Sequence, residues 1–120
     1  MNNGRLSVGI IGDGPVGAVL GQALASAGHQ VIGVATTTPA NIERAESLLP
    51  GVKVLPVPSI IEQADLVLLA IPAEQIAPTV TGFAEAGLWR PGQLVAHTAG
   101  EFGYSVLQSA AQQGVIPLAI

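Results

Sequence analysis

Three glycines near the amino terminus have the spacing of a phosphate-binding turn. Gly12, Gly14 and Gly17 form the pattern G-x-G-x-x-G directly after the apolar run 6–11. The first glycine permits a tight turn, the second lets the backbone approach a pyrophosphate, and the third lets helix and strand pack closely. The free N–H groups at the start of the helix then face the anion. The alternative is a turn of the same shape that holds no ligand. The predicted contacts to a dinucleotide are Gly12, Asp13, Gly14, Pro15, Val16 and Gly17.

Threonines follow the second apolar run, where NAD-specific folds usually carry an acid that binds the adenosine ribose. An acid would repel a 2′-phosphate, so Thr36, Thr37 and Thr38 permit NADP at this position. Their hydroxyls, the start of the next helix at Pro39 and the cation of Arg44 would bind the added charge. We therefore expect NADP as the cofactor, with NAD as the alternative. Otherwise Thr38 is only a helix cap and Arg44 a solvated surface residue.

Two further groups of residues follow later apolar runs. Because ligands bind at the carboxyl ends of parallel strands, Ala70, Ile71 and Pro72 should line the cofactor. His97 and Thr98 should lie on the same edge. His97 is the candidate catalytic residue, since it could polarise a carbonyl or orient the cofactor amide. The alternative is a strand-end histidine that is hydrogen-bonded to the backbone.

A parallel sheet is needed to bring these residues together. Apolar runs alternate with helical patterns, and their uniform apolar character predicts strands that are covered on both faces. With right-handed crossovers, this alternation predicts an α/β fold. We expect a Rossmann-type doubly wound parallel sheet of six strands in the order 3-2-1-4-5-6, in three α/β/α layers. The six predicted strands are 6–11, 30–35, 52–55, 65–71, 93–98 and 115–120.

Turn and capping residues predict where the helices begin and end. The first helix should end at Gly28. Ser59 and Glu62 have the spacing of a capping box, which predicts the start of a short helix. Another helix is expected over about 73–86, where Pro78 either kinks it or marks a late start.

The composition bounds the classes of partner. A chain of 120 residues forms one domain, and its 10% of charged residues is low against about 25% in an average soluble domain. The net charge of −4, with four basic residues in the chain, does not predict a basic patch that could bind nucleic acid or acidic lipid. There is no cysteine for a disulfide or a thiolate metal site, and we expect no metal. Glycines and polar residues interrupt the apolar runs, so we expect no membrane span and a cytoplasmic location.

Three segments resemble a known group of proteins: VGIIGDGPVGAVLGQALASAGHQVIGV, ADLVLLAIPAEQIAPTV and WRPGQLVAHTAGEFGYSVLQSAAQQG. Together they look like the Rossmann-like N-terminal domain of NADP-dependent oxidoreductases. The neighbourhood includes 6-phosphogluconate dehydrogenase, ketopantoate reductase, pyrroline-carboxylate reductase and deazaflavin-dependent NADP reductases. The most specific part, HTAG at 97–100, resembles a His-Thr-Ser-Gly motif of one branch, with Ala99 where serine is usual. Relatives commonly carry a Ser-Arg-Ser cluster where this chain has the three threonines.

The resemblance implies hydride transfer between NADP(H) and a small-molecule substrate. Relatives continue into a mainly helical C-terminal domain that shapes the substrate site and usually dimerises. We therefore expect residues 1–120 to be the dinucleotide-binding domain and to bind without turning over, because substrate-positioning groups lie elsewhere. We also expect a homo-oligomer, formed through that domain or through exposed apolar surface. The alternatives are a nucleotide-sensing or interaction module that is not an enzyme, and a domain that has lost its ligand and serves assembly.

Overall fold

The computed structural model describes residues 6–12, 15–35, 43, 52–71, 73–97 and 107–119. Five strands alternate with helices over these ranges. The predicted helix that starts at Pro39 lies outside them, apart from residue 43. In chain order the elements are β1 (Ser7–Ile11), α1 (Pro15–Ser26), β2 (Gln30–Ala35), α2 (Val57–Gln63), β3 (Leu66–Leu69), α3 (Ala73–Glu85), β4 (Leu94–His97), α4 (Gln108–Ala111) and β5 (Ile116–Ala119).

The strands form one parallel sheet in the order β2-β1-β3-β4-β5. Apolar side chains on one face pack with Leu20 and Leu24 of α1. Those on the other face pack with residues of α2, α3 and α4, such as Ile60, Val80 and Ala110. Helices therefore cover both faces, and the predicted α/β fold with a parallel sheet is confirmed.

The third predicted strand, 52–55, does not form a strand of the sheet. Residues 52–55 make one isolated parallel bridge, between Val34 and Val54, at the outer side of β2. Val34 donates its N–H to the carbonyl of Lys53 at 2.9 Å and accepts from the N–H of Leu55 at 3.0 Å. The ladder cannot continue because Pro56 comes next and α2 begins at Val57. The described residues therefore form a sheet of five strands rather than the predicted six, and the predicted order 3-2-1-4-5-6 is not confirmed.

Two glycines inside strands let neighbouring segments lie close to the sheet. A Cβ on Gly9 of β1 would overlap the side chain of Ile60 and approach Ala64 Cβ to 3.2 Å, so its absence makes room for α2. A Cβ on Gly33 of β2 would lie 2.5 Å from Leu55 Cδ1. These positions agree with the rule that a glycine within a strand marks a close approach of other atoms.

The helix boundaries correct one prediction and confirm two. α2 begins before the predicted capping box: its N-cap is Pro56, which is extended and makes no side-chain cap, so Ser59 lies inside the first turn. Prolines are tolerated there because the first N–H groups have no intrahelical acceptor. α3 begins at Ala73 and contains Pro78, which excludes the late start. α1 ends before Gly28, whose φ of 99° is the left-handed conformation expected after a helix.

The carboxyl end of α2 is capped by two side chains from the segment before β4. Gln93 Nε2 donates to the carbonyls of Ile61 and Ala64, at 2.8 and 2.9 Å. Arg90 donates to the same two carbonyls, through Nε at 3.2 Å and Nη2 at 2.6 Å. Gln93 Oε1 accepts the N–H of Arg90 at 3.2 Å. A cation and an amide thus satisfy carbonyls that a helix end leaves without partners.

Among the described residues, no strand pairs with the outer side of β5, and a proline lies on this free edge. Ile116 donates its N–H to the carbonyl of Gln93 at 2.8 Å. Because backbone groups alternate in direction along a strand, the backbone nitrogen of Pro117 faces away from β4. This free edge therefore lacks one N–H donor.

Within the described ranges, every helix is too short or too polar to span a bilayer.

Candidate site at the carboxyl edge of the sheet

The carboxyl ends of all five strands are in register. Ile11 at the end of β1 pairs with Ala35 on one side and with Leu69 on the other. Leu69 pairs with His97, which pairs with Ala119. Ala70, Ile71 and Gly12 come directly after this row. The structure therefore brings Gly12, Ala35, Ala70, Ile71 and His97 to one edge, as the sequence predicts.

Gly12 is locked between the two strands that flank β1. Its φ is 149°, a conformation that side chains disfavour. A Cβ at this position would overlap the carbonyl of Ala70 and lie 2.5 Å from its carbonyl carbon. On the other side, the Gly12 N–H donates to the Ala35 carbonyl at 3.1 Å. The first glycine of the motif thus serves both a turn and a close contact between main chains.

The start of α1 supplies the hydrogen-bond donors at this edge. α1 begins at Pro15, which has no N–H, so the backbone donors of its first turn come from residues 16–18. The N–H of Gly12 is already bonded within the sheet and is not free for an anion. A phosphate here would therefore bind to the helix start rather than to the first glycine, and the helix dipole favours the same position.

Ala70 and Ile71 form a wall next to Gly12. Ala70 donates its N–H to the carbonyl of Ile11 at 2.8 Å and is 7% exposed. Ile71 is half-buried and packs against the core on the α2–α4 face. The next charged residue is Glu74, which is exposed in the first turn of α3, where the helix dipole stabilises a carboxylate.

His97 is fully buried at the end of β4. The sequence leaves two roles open for it, a catalytic residue near the nicotinamide and a strand-end histidine bonded to the backbone, and the catalytic role stays a prediction. His29 lies at the opposite edge, where its Nδ1 accepts the N–H of Leu6 at 2.9 Å. It connects the turn after α1 to the start of β1.

Several predicted site residues fall outside the described part of the chain. For Pro15, Val16 and Gly17 the helical backbone is described, whereas their side chains are not. Over the ranges that are described, no three histidine or acidic side chains form a group that could hold a metal ion. The predicted residues outside those ranges are Asp13, Gly14, Thr36, Thr37, Thr38, Arg44, Pro72 and Thr98.

Two carbonyl contacts of the site were not predicted from the sequence. The carbonyl of Ala35 accepts the Gly12 N–H, and the carbonyl of Ala70 fills the space beside the Gly12 Cα. Main-chain atoms leave no residue-type signal, so only the pairing of a glycine with small residues at neighbouring strand ends could have suggested these contacts.

The sequence matches the family model of the Rossmann-like domain over residues 1–120. Among proteins of curated function, none matches this sequence.

Three of the similar solved structures are bacterial oxidoreductases by their names. A 3-hydroxyisobutyrate dehydrogenase of Mycobacterium tuberculosis, solved with L-serine, is 21% identical with a TM-score of 0.73, over 96% of this chain and 40% of its own. A variant imine reductase of Myxococcus stipitatus, in complex with NAD⁺, is 17% identical with a TM-score of 0.74, over 96% and 40%. The WlbA dehydrogenase of Bordetella pertussis, with NADH and UDP-GlcNAcA, is 19% identical with a TM-score of 0.72, over 97% and 37%. The TM-scores show a shared fold and, at these identities, the fold alone; this chain spans about two fifths of the length of each of these proteins.

Proposed function

We propose that this chain, which belongs to the Rossmann-like domain family, binds a nicotinamide dinucleotide at the carboxyl edge of its sheet. We propose further that it does so as part of an oxidoreductase.

The position of Gly12 carries this proposal. The chain leaves β1 toward β2 on one side and returns to β3 on the other, so β1 lies where the strand order reverses. In open α/β sheets, ligands bind in the crevice at this point. Here a glycine that tolerates no side chain stands between β1 and the start of α1. The donors at residues 16–18 suit the pyrophosphate of a dinucleotide.

We propose NADP(H) as the preferred form, with NAD(H) as the alternative. The support is the sequence after β2, where Thr36, Thr37 and Thr38 replace the acid typical of NAD-specific sites. Arg44 is the nearest cation in the sequence for a 2′-phosphate. Two of the solved relatives hold NAD⁺ and NADH. For that reason the 2′-phosphate preference needs its own measurement.

The proposed reaction is hydride transfer between the cofactor and a small substrate. When bound, the nicotinamide supplies or accepts the hydride, and this chain binds and orients it. We propose that substrate groups come from another domain, because the described side chains at the strand ends offer little acid or base. Ile11, Ala35, Ala70 and Ile71 are apolar, and His97 is buried. The dinucleotide complex of residues 1–120 should therefore be inactive alone.

Calorimetric titration with NADP⁺, NADPH, NAD⁺ and NADH tests the proposal. We expect binding of NADP(H) to be tighter than binding of NAD(H). A Gly14→Ala variant should weaken it, since the second glycine of the motif permits approach of the pyrophosphate. Gly82→Ala is the matched control, because a Cβ at Gly82 in α3 would meet nothing within 4 Å.

The outcomes separate the possible functions. No binding of any form at millimolar concentration would contradict the proposed function. Equal affinities in the Gly14→Ala and Gly82→Ala variants would place the dinucleotide away from the glycine turn. Tight binding without hydride transfer by a longer protein that includes this domain would favour the nucleotide-sensing alternative.

A further inference from the structure

His97 occupies the middle of the sheet row that carries the candidate site. It pairs with Leu69 on β3 and with Ala119 on β5. Its side chain has an exposed fraction of 0%, and the other buried polar side chain in the described residues is Gln93. A titratable ring is thus enclosed at an edge where a reactive group would need access to a ligand.

The imidazole projects to the sheet face opposite α1. Side chains alternate along β4: Leu94 and Ala96 pack on the α1 face, and Val95 packs on the α2–α4 face. His97 comes after Ala96, so its ring shares the face of Val95. The donors proposed for the pyrophosphate belong to α1, on the other face. His97 therefore lies behind the sheet, as seen from the phosphate position.

His97 makes an interaction within the protein, and its ring has no exposed area. No buried side-chain nitrogen or oxygen in the described part of the chain lacks a hydrogen-bond partner. An enclosed ring presents no accessible nitrogen to a substrate, whereas a satisfied buried polar group makes its surroundings rigid.

We propose that His97 is a positioning residue, whose enclosed imidazole stabilises the carboxyl end of β4, between β3 and β5, and thereby supports the row of strand ends that carries the dinucleotide site. The effect on a dinucleotide rests on the proposed function; the enclosure of the ring does not. The competing role is direct acid-base catalysis, one of the two roles that the sequence leaves open for His97.

Chemical modification tests the enclosure. Diethyl pyrocarbonate acylates an accessible neutral imidazole nitrogen, and the chain has two histidines. The half-buried His29 is the internal control. In the folded chain we expect His29 to be acylated at least about tenfold faster than His97, because acylation of His97 requires an opening of the fold. In denaturant the two rates should converge. Comparable rates in the folded chain would overturn the proposal.

Paired variants test the positioning. His97→Asn replaces the enclosed ring by a shorter polar group, while Val95→Ala removes core volume from the same strand and face. We expect His97→Asn to speed amide hydrogen exchange at the carboxyl ends of β3 and β4 on the order of tenfold more than Val95→Ala. His97→Gln, which keeps both a donor and an acceptor, should restore part of the protection. Equal exchange in the two variants would overturn the positioning role.

Dinucleotide titration of the same variants separates the two proposals. We expect His97→Asn to weaken binding on the order of tenfold and Val95→Ala to leave it nearly unchanged. Unchanged binding by His97→Asn would contradict the link from His97 to the site. If the native chain binds no dinucleotide, the proposed function fails, and the modification and exchange experiments still decide the role of His97.

Discussion

The main chain of Ala70 lies directly against the Cα of Gly12, so the ends of β3 and β1 leave no space for a side chain at position 12. The N–H of Gly12 is bonded on its other side to the carbonyl of Ala35. The glycine can therefore move neither toward β2 nor toward β3. A turn fixed in this way presents the start of α1 in one orientation, which is what binding of a pyrophosphate requires.

Gly12→Ala should destabilise the chain far more than Gly87→Ala. Both glycines have positive φ, 149° and 70°, but a Cβ at Gly87 meets nothing within 4 Å. We expect a loss of about 1 kcal/mol in the free energy of unfolding for Gly87→Ala, from backbone strain alone. Gly12→Ala should lose at least about 3 kcal/mol, because strain and overlap with the Ala70 backbone add. Urea denaturation measures both, and similar losses would mean that the strand ends separate easily.

Gly82→Ala should stabilise the chain. Gly82 lies inside α3, is exposed and has open space around its Cα. Alanine loses less backbone entropy on folding, which predicts a gain of about 0.5–1 kcal/mol in the free energy of unfolding. The thermal midpoint should rise accordingly. A loss of stability would show that α3 is strained at this position.

Gln93→Ala should lower the free energy of unfolding more than Arg90→Ala, although both side chains cap the same carbonyls of α2. Gln93 is 4% exposed, so water cannot easily replace its amide, and we expect a loss of about 2–3 kcal/mol in the free energy of unfolding. Arg90 is exposed, and Arg90→Ala should lower the free energy of unfolding by about 1 kcal/mol or less. Gln112→Ala, at an exposed position, is the control and should change stability by less than about 0.5 kcal/mol. The reverse ranking in denaturant unfolding would identify the guanidinium as the main cap.

Pro117→Val should promote association of one chain with another. The substitution adds an N–H donor to the free edge of β5, next to Ile116, whose side chain is 49% exposed. We expect the association constant to rise on the order of tenfold, measured by sedimentation across a concentration series. Pro91→Val, at an exposed position outside the strands, should leave it unchanged. An unchanged constant in Pro117→Val would mean that other features protect the edge.

Uniformly apolar runs predicted the five strands because a parallel sheet buries both of its faces. β2 has the predicted bounds, Gln30–Ala35. The run 52–55 failed because α2 begins immediately after Pro56 and takes the chain away from β2 before a ladder can extend. Ser59 and Glu62 had the spacing of a capping box, yet the N-cap of the helix is Pro56, three residues before Ser59. The spacing of residues along the sequence cannot show at which of two neighbouring residues a helix begins.

For the site, the sequence predicted which residues share one edge, and the register confirms this for Gly12, Ala70, Ile71 and His97. It could not predict that Ala35 and Ala70 hold Gly12 through main-chain atoms, since any residue type carries those atoms. Nor could it predict the burial of His97, because exposure at a strand end depends on helices and loops that are distant in sequence.

The strand order also has a consequence for how the chain folds during synthesis. β1 pairs with β2, which is made soon after it, and with β3, which begins only at Leu66. Until then one edge of β1 is open, and Gly12 has no Ala70 to pack against. The first half of the chain therefore exposes an unpaired strand edge that is prone to aggregation. This edge is covered only when β1 pairs with β3, and pairing between segments distant in sequence is slow. A nascent chain that stalls before β3 should be a preferred substrate for chaperones.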